Sequence, residues 1–261
     1  MPDDIKVDRR DSWIEITIYR PDKLNAIREQ TAVEILDVMT EVESVRELRG
    51  LIITGGEKAF CTGVDTSEQK NEPDEAFELW RRRKRSRKVN QFFRALPEFT
   101  KPVIAAVEGY AVAGGLELAL WCDLRVAATN ATFGVFNRRF GVPLIDLGTI
   151  RLPRMIGQGR ALDLILTGRP VVADEALRIG LVERLVRPGH ALAEAQQLAQ
   201  DIAESPPGAL RADRMSVLNQ WSLTLDEAAR AEFRGGSDAM ASGEAQAGAR
   251  RFTEGSGRHG S

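Results

Sequence analysis

Glu117 is the acidic side chain best set to move a proton in this chain. It lies in Gly109-Tyr-Ala-Val-Ala-Gly-Gly-Leu-Glu117-Leu-Ala-Leu-Trp-Cys-Asp123, where every other residue before the closing Asp123 is apolar or small. Gly114 and Gly115 lack a Cβ, so a ligand can come close to the main chain there. The helix predicted by the following residues starts at this point, and its first N–H groups have no partner within the helix. They also form the positive end of its dipole. Such donors suit an oxygen that gathers negative charge during a reaction. A carboxylate one turn further on can give or take a proton beside that oxygen. The plain alternatives are a solvated helix residue and a tight strand-to-helix turn. The surrounding motif weighs against both.

The elements around this stretch can be read from periodicity and turn residues. Val103 to Val107 is an apolar strand introduced by Lys101-Pro102. Ile14, Ile16 and Ile18 alternate with polar residues and predict a half-buried strand. Arg20-Pro-Asp-Lys-Leu-Asn-Ala is a loop broken by Pro21. Val33, Ile35, Leu36, Met39 and Val42 recur at helical spacing over residues 29 to 42. Leu48 to Thr54 is a short strand ended by Gly55-Gly56, and Ala59 to Asp65 is small-residue strand and loop. Residues 74 to 96 read as a helix, and Leu124 to Ala128 as a strand before a turn at Thr129-Asn130. The remainder is mostly helical, with Asp174 as a cap before Glu175-Ala176 and a turn at Ser205-Pro-Pro-Gly208. Strand and helix alternate early and helices dominate late, which predicts an α/β core with a helical C-terminal extension.

Composition narrows the function. The 261 residues carry a net charge of -2, so the whole-molecule field favours no polyanionic partner. Cys61 and Cys122 are far apart and form no metal-ligand pattern; two buried, reduced thiols fit a cytoplasmic protein. His190 and His259 stand near no candidate nucleophile, which argues against Ser/His or Cys/His chemistry. No apolar run reaches membrane-spanning length, and the acidic start Met-Pro-Asp-Asp is unlike a leader peptide. The basic run Arg81 to Lys88 could meet phosphates, including those of RNA. It lacks interleaved aromatic residues, and the acidic residues Glu68, Glu72, Asp74, Glu75 and Glu78 precede it. A solvated helix face is the preferred reading.

Taken together, six pieces resemble the enoyl-CoA hydratase/isomerase, or crotonase, superfamily. They are Arg20 to Ala26, Lys58 to Asp65, Lys101 to Glu117, Phe133-Gly134, Leu166 to Arg169, and Ala173 to Val182. The resemblance covers nearly the whole chain and rests on their order and spacing. It implies an α/β fold built as a spiral of ββα turns, with a core over residues 1–200 and a C-terminal helical trimerisation region over 201–261. It implies a coenzyme A thioester as substrate, with no metal or redox cofactor, and a homotrimer or a hexamer made of two trimers. The backbone donors of its oxyanion hole map onto Val64 and Gly114. Lys23, Leu24, Ala26, Lys58, Ala59, Thr62 and Asp65 map onto loops that wrap the coenzyme, and Lys23 or Lys58 could face its phosphates as a point charge.

At one position the chain departs from the pattern. A hydratase of this family holds water between two glutamates. The first maps onto Glu117 and the second onto Asn137, whose amide can hold water but cannot take its proton near neutral pH. Family hydrolases and isomerases carry a working aspartate near Asp146, although ungapped counting puts Asp146 one residue further on. Asp146 is therefore either the partner of Glu117 in acid and base work or the N-cap of the helix running toward Met155. Asn137 and Arg138 would shape the pocket, and Arg138-Arg139 is either surface charge or a clamp for a carboxylate. The expected activity is that of an acyl-CoA lyase or isomerase. An enoyl-CoA isomerase, a thioester hydrolase and a non-catalytic acyl-CoA-binding homologue are the alternatives.

Overall fold

The computed structural model describes residues 4–65 and 99–255. The expected helix over 74 to 96, the basic run 81–88, the acidic residues before it and His259 lie outside the described residues. Among the described residues, ten strands form two sheets. The larger is ordered β1 (Ile5–Arg10), β2 (Trp13–Ile18), β3 (Gly50–Thr54), β5 (Val103–Val107), β7 (Leu124–Ala128) and β10 (Arg184–Val186). β1 and β2 form an antiparallel hairpin, and every later pairing in this sheet is parallel. The smaller sheet is ordered β4 (Ala59–Cys61), β6 (Tyr110–Val112), β8 (Thr132–Gly134) and β9 (Val171–Val172). β3 leads into β4, β5 into β6 and β7 into β8, so the chain steps from one sheet to the other at each turn.

Burial explains the strand composition. Leu51, Ile53, Val103, Ala105, Val107 and Ala127 face the main core. Ile52, Ile104, Ala106, Val126 and Ala128 face a second cluster closed by Ala191, Ala195 and Leu198. Strands covered on both sides are written as continuous apolar runs, not as alternations. The strand predicted over 14 to 18 departs from expectation here, because Glu15 is buried beside Ile14 and Ile16. Its carboxylate accepts a hydrogen bond from Gln196 Nε2 at 2.7 Å.

Among the described residues the α-helices are α1 (Glu29–Ser44), α2 (Gly114–Trp121), α3 (Gly148–Ile156), α4 (Gln158–Thr167), α5 (Ala173–Arg178), α6 (Ala191–Ala203), α7 (Pro207–Asn219), α8 (Leu225–Ala241) and α9 (Glu244–Thr253). α1 buries Thr31, Ala32, Ile35, Val38, Met39 and Val42, while Val33 and Leu36 are only partly covered. Two expected caps are corrected. Asp174 lies inside α5, whose N-cap is Val172. Asp146 is not the cap of α3 either, since that place belongs to Leu147 in a left-handed conformation with φ 71°. α7, α8 and α9 bury no residue of their own.

Candidate active site

The site begins at the step from β6 to α2. Ala113, the N-cap of α2, has φ 54° and ψ -126°, a conformation that is costly for a residue with a Cβ. Its N–H is tied to the Gly134 carbonyl on β8 at 3.0 Å. The following helix is buried throughout, Gly114 to Trp121. Gly115 must be glycine, because a Cβ there would stand 2.0 Å from the Cys61 carbonyl oxygen. At its far end Arg125, fully buried, donates to the Ala119 and Cys122 carbonyls at 3.1 and 2.7 Å and to Leu181 at 2.9 Å. These bonds occupy carbonyls that the end of a helix leaves open.

The Gly63-Val64 segment lies against the start of α2. A Cβ on Gly63 would meet Gly114 N at 2.9 Å, and one on Gly114 would meet Val64 N at 3.6 Å. Ile27 brackets Val64 from the other side: its N–H donates to Gly63 O at 2.7 Å, and its carbonyl accepts from Asp65 N at 2.8 Å. That pattern turns the Val64 N–H to the opposite side. Among the described residues, neither the Val64 nor the Gly114 N–H meets an acceptor. Two such donors close together can hold an oxygen that becomes negative.

Glu117 is 2 % exposed, and its Oε1 accepts from the Asp146 N–H at 2.9 Å and the Gly148 N–H at 2.8 Å. A Cβ on Gly148 would stand 2.7 Å from that oxygen. Burial pushes the Glu117 carboxyl up to about 7, and the nearby Asp146 charge adds to the rise. The two N–H bonds and the Arg151 charge only partly oppose it. Asp146 is buried as well. Two neighbouring buried carboxyl groups resist double ionisation, so the pair favours carrying one proton. Arg151, in the first turn of α3, was not singled out in the sequence. Its Nη1 reaches the Asp146 carbonyl at 3.5 Å. Burial lowers its pKa, against the pull of the Glu117 and Asp146 charges.

The remaining expected residues fall into two groups. Lys23, Leu24 and Ala26 lie on one loop, Ala59 opens β4, and Lys58, Thr62 and Asp65 lie on the loops at either end of that strand. The two segments are joined by Asn25 Nδ2 to Ala59 O at 2.7 Å, by Thr62 Oγ1 to Leu24 O at 3.1 Å, and by Arg20 to Asp65 at 2.8 Å. Lys23, Leu24 and Lys58 are exposed. Asn137 stands apart from Glu117 in bonding. Its Nδ2 donates to the Val142 carbonyl at 3.0 Å, while its buried Oδ1 has no hydrogen-bond partner. Arg138 donates to Ile165 O and Arg139 to Gly168 O, and the Arg139 guanidinium covers the Phe136 ring. Both arginines thus pin the short turn to α4 and the loop after it.

The chain is similar to known proteins over most of its length. The family model for enoyl-CoA hydratase/isomerase matches residues 8–258. The chain belongs to the enoyl-CoA hydratase/isomerase family. Among family members, a short-chain-enoyl-CoA hydratase of Clostridium acetobutylicum is 39% identical over 82% of this chain and 80% of its own. A crotonyl-CoA hydratase of Syntrophomonas wolfei is 35% identical over 87% and 85%. The crystal structure of an enoyl-CoA hydratase from Bacillus anthracis superposes with a TM-score of 0.89 at 31% identity, covering 96% of each chain. The mixed α/β architecture with parallel sheets is that of this enzyme family.

Proposed function

We propose that the protein is a lyase that adds water across the double bond of an enoyl-CoA thioester. The thioester carbonyl is held by the Val64 and Gly114 N–H groups. Glu117 and Asp146 do the proton work that two glutamates do in the family pattern. The observation that carries this reading is the buried Glu117 carboxyl, raised to about 7 beside Asp146 at the mouth of α2. In the singly protonated pair, Asp146 takes a proton from water as the hydroxyl bonds to Cβ, and Glu117 gives its proton to Cα. The electron pair of the double bond passes through an enolate whose oxygen rests on the two amides. A donor of this kind is worth roughly 3–4 kcal/mol in other enzymes.

The segments bearing Lys23, Leu24, Ala26, Lys58, Ala59 and Thr62 wrap the coenzyme, with the exposed lysines toward its phosphates. Proton transfer and an oxyanion hole suffice for this reaction, so the proposed chemistry needs no metal or redox cofactor. The proposed assembly is a homotrimer or a dimer of trimers. Residues 1–200 form its catalytic core and 201–261 its helical region. The proposed compartment is the cytoplasm, in keeping with two free buried thiols that burial raises to about 12.

A second reading is an enoyl-CoA isomerase. It is favoured by Asn137, which falls where the family pattern has the second glutamate and whose amide donates to the Val142 carbonyl. Incubation with crotonyl-CoA separates the two. Prompt loss of the enoyl-thioester absorbance is expected for the lyase. No loss, together with migration of the double bond in a 3-enoyl thioester, would reverse the assignment. Glu117→Gln should lower turnover by at least about a hundredfold.

A further inference from the structure

We propose that Arg20 is a positioning residue that sets where the Val64 N–H points, acting through Asp65 and the Ala26 carbonyl. The inference rests on the acyl-CoA reading above. Arg20 follows β2, and its side chain is only 11% exposed. Its Nη2 donates to Asp65 Oδ2 at 2.8 Å, its Nη1 to Ala26 O, and its Nε lies 3.6 Å from Asp4 Oδ1.

Asp4 is itself fixed. It accepts from Arg28 Nε and Nη2 at 2.7 and 2.8 Å and from the Thr31 hydroxyl at 2.6 Å. Its carbonyl takes the Tyr19 N–H at 2.8 Å. The guanidinium is thus anchored on the β1–β2 hairpin and the first turn of α1, and it reaches from there to the loop that carries Val64.

Its two other contacts flank the bridge that orients Val64. Asp65 follows Val64 directly, and Ala26 directly precedes Ile27, the residue whose N–H and carbonyl bracket Val64. Arg20 therefore grips both sides of that bridge. Charge-assisted bonds from a planar guanidinium are directional. Removing the cation leaves two buried carboxylates with less compensation. Asp65, a coenzyme-wrapping position by resemblance, turns its carboxylate to Arg20 and serves as the handle by which the segment is held. A donor displaced by about 1 Å can cost on the order of a hundredfold in rate.

Steady-state kinetics on an enoyl-CoA thioester test this, with Arg20→Gln, Arg20→Lys, Asp65→Asn and the Arg20→Gln/Asp65→Asn double variant, rates being expressed per folded molecule. Arg20→Gln and Asp65→Asn should each lower kcat by about tenfold or more with KM within about threefold, and the double variant should be no worse than the weaker single. Arg20→Lys should recover part of the loss. An Arg20→Gln kcat within about twofold of the parent, a rise in KM alone, or multiplying losses in the double variant would overturn the proposal. If Arg20→Gln does not fold, Asp65→Asn and Arg20→Lys carry the same comparison. Amide hydrogen exchange at Asp65, whose N–H closes the bridge, should quicken in the folded variants, and an unchanged rate would also overturn it. Should the parent turn over no enoyl thioester, the lyase reading falls, and the exchange rates still decide whether Arg20 holds the segment.

Discussion

Glu117, in the proton role proposed for it, carries a cost to stability. Its carboxyl is raised to about 7 by burial and by Asp146. With the folded value above the unfolded one, its stabilising contribution is complete below about 4.5 and is lost as pH rises through about 7. The loss approaches about 3 kcal/mol. Glu117→Gln keeps both acceptor bonds and removes the charge, so it should melt higher than the parent at pH 8 but not at pH 4. Thermal scans at the two pH values check this. Under the proposed mechanism the same proton governs rate. If the singly protonated pair is the working form, kcat/KM should fall as pH rises through about 7. Asp146→Asn removes the charge that helps hold the Glu117 proton, so any residual activity should show that limb at lower pH. A limb that stays in place would separate Asp146 from the titration. Glu117 was legible in the sequence because one acid stood alone among apolar residues. Asp146 was ambiguous because a cap and a catalytic acid have the same residue type. Geometry removes the cap reading, because Leu147 holds that place and the Asp146 N–H binds Glu117; the acid role is the one proposed above.

Among the elements, α2 and the start of α3 divide the work of holding the candidate site, and their glycines should fail differently. Gly115→Ala puts a Cβ 2.0 Å from a backbone oxygen of β4, which cannot yield. It should cost several kcal/mol, about 2–4, seen as a lower melting temperature or loss of soluble protein. Gly148→Ala instead meets the Glu117 carboxylate at 2.7 Å, so it should leave a folded protein with strongly reduced turnover. Folding and activity measured on both variants would show the contrast. The strand Val103–Val107 and the helix from Gly114 were readable because a continuous apolar run and a glycine pair have few other uses. β1, whose residues are mostly exposed, and the short β6, β9 and β10 left little signal. The parallel order β3-β5-β7 was hidden because partners distant in sequence leave no local pattern. Arg20 and Arg151 were also hidden as working residues. Their roles come from what they meet in space, and arginine in a loop or an opening helix turn is common.

At the scale of the whole molecule, α7, α8 and α9 stand out because they bury no residue of their own. Leu225, Phe233 and Met240 on α8 are 85%, 76% and 65% exposed. Apolar groups of this size along one helix call for a covering surface, in keeping with the proposed trimer. Phe233→Asp should lower the mass seen by sedimentation at micromolar concentration, and an unchanged mass would remove α8 from the interface. The Val64 and Gly114 amides bear on the molecule in another way. They follow two strands, β4 and β6, that are neighbours in the smaller sheet, and their spacing depends on that pairing. The proposed oxyanion gap is therefore a caliper on how these two turns of the chain are seated. Dilute denaturant that lets the turns slide should silence turnover while the far-ultraviolet helical signal is still intact, so activity reports the seating of the coils upon one another before any coil unwinds.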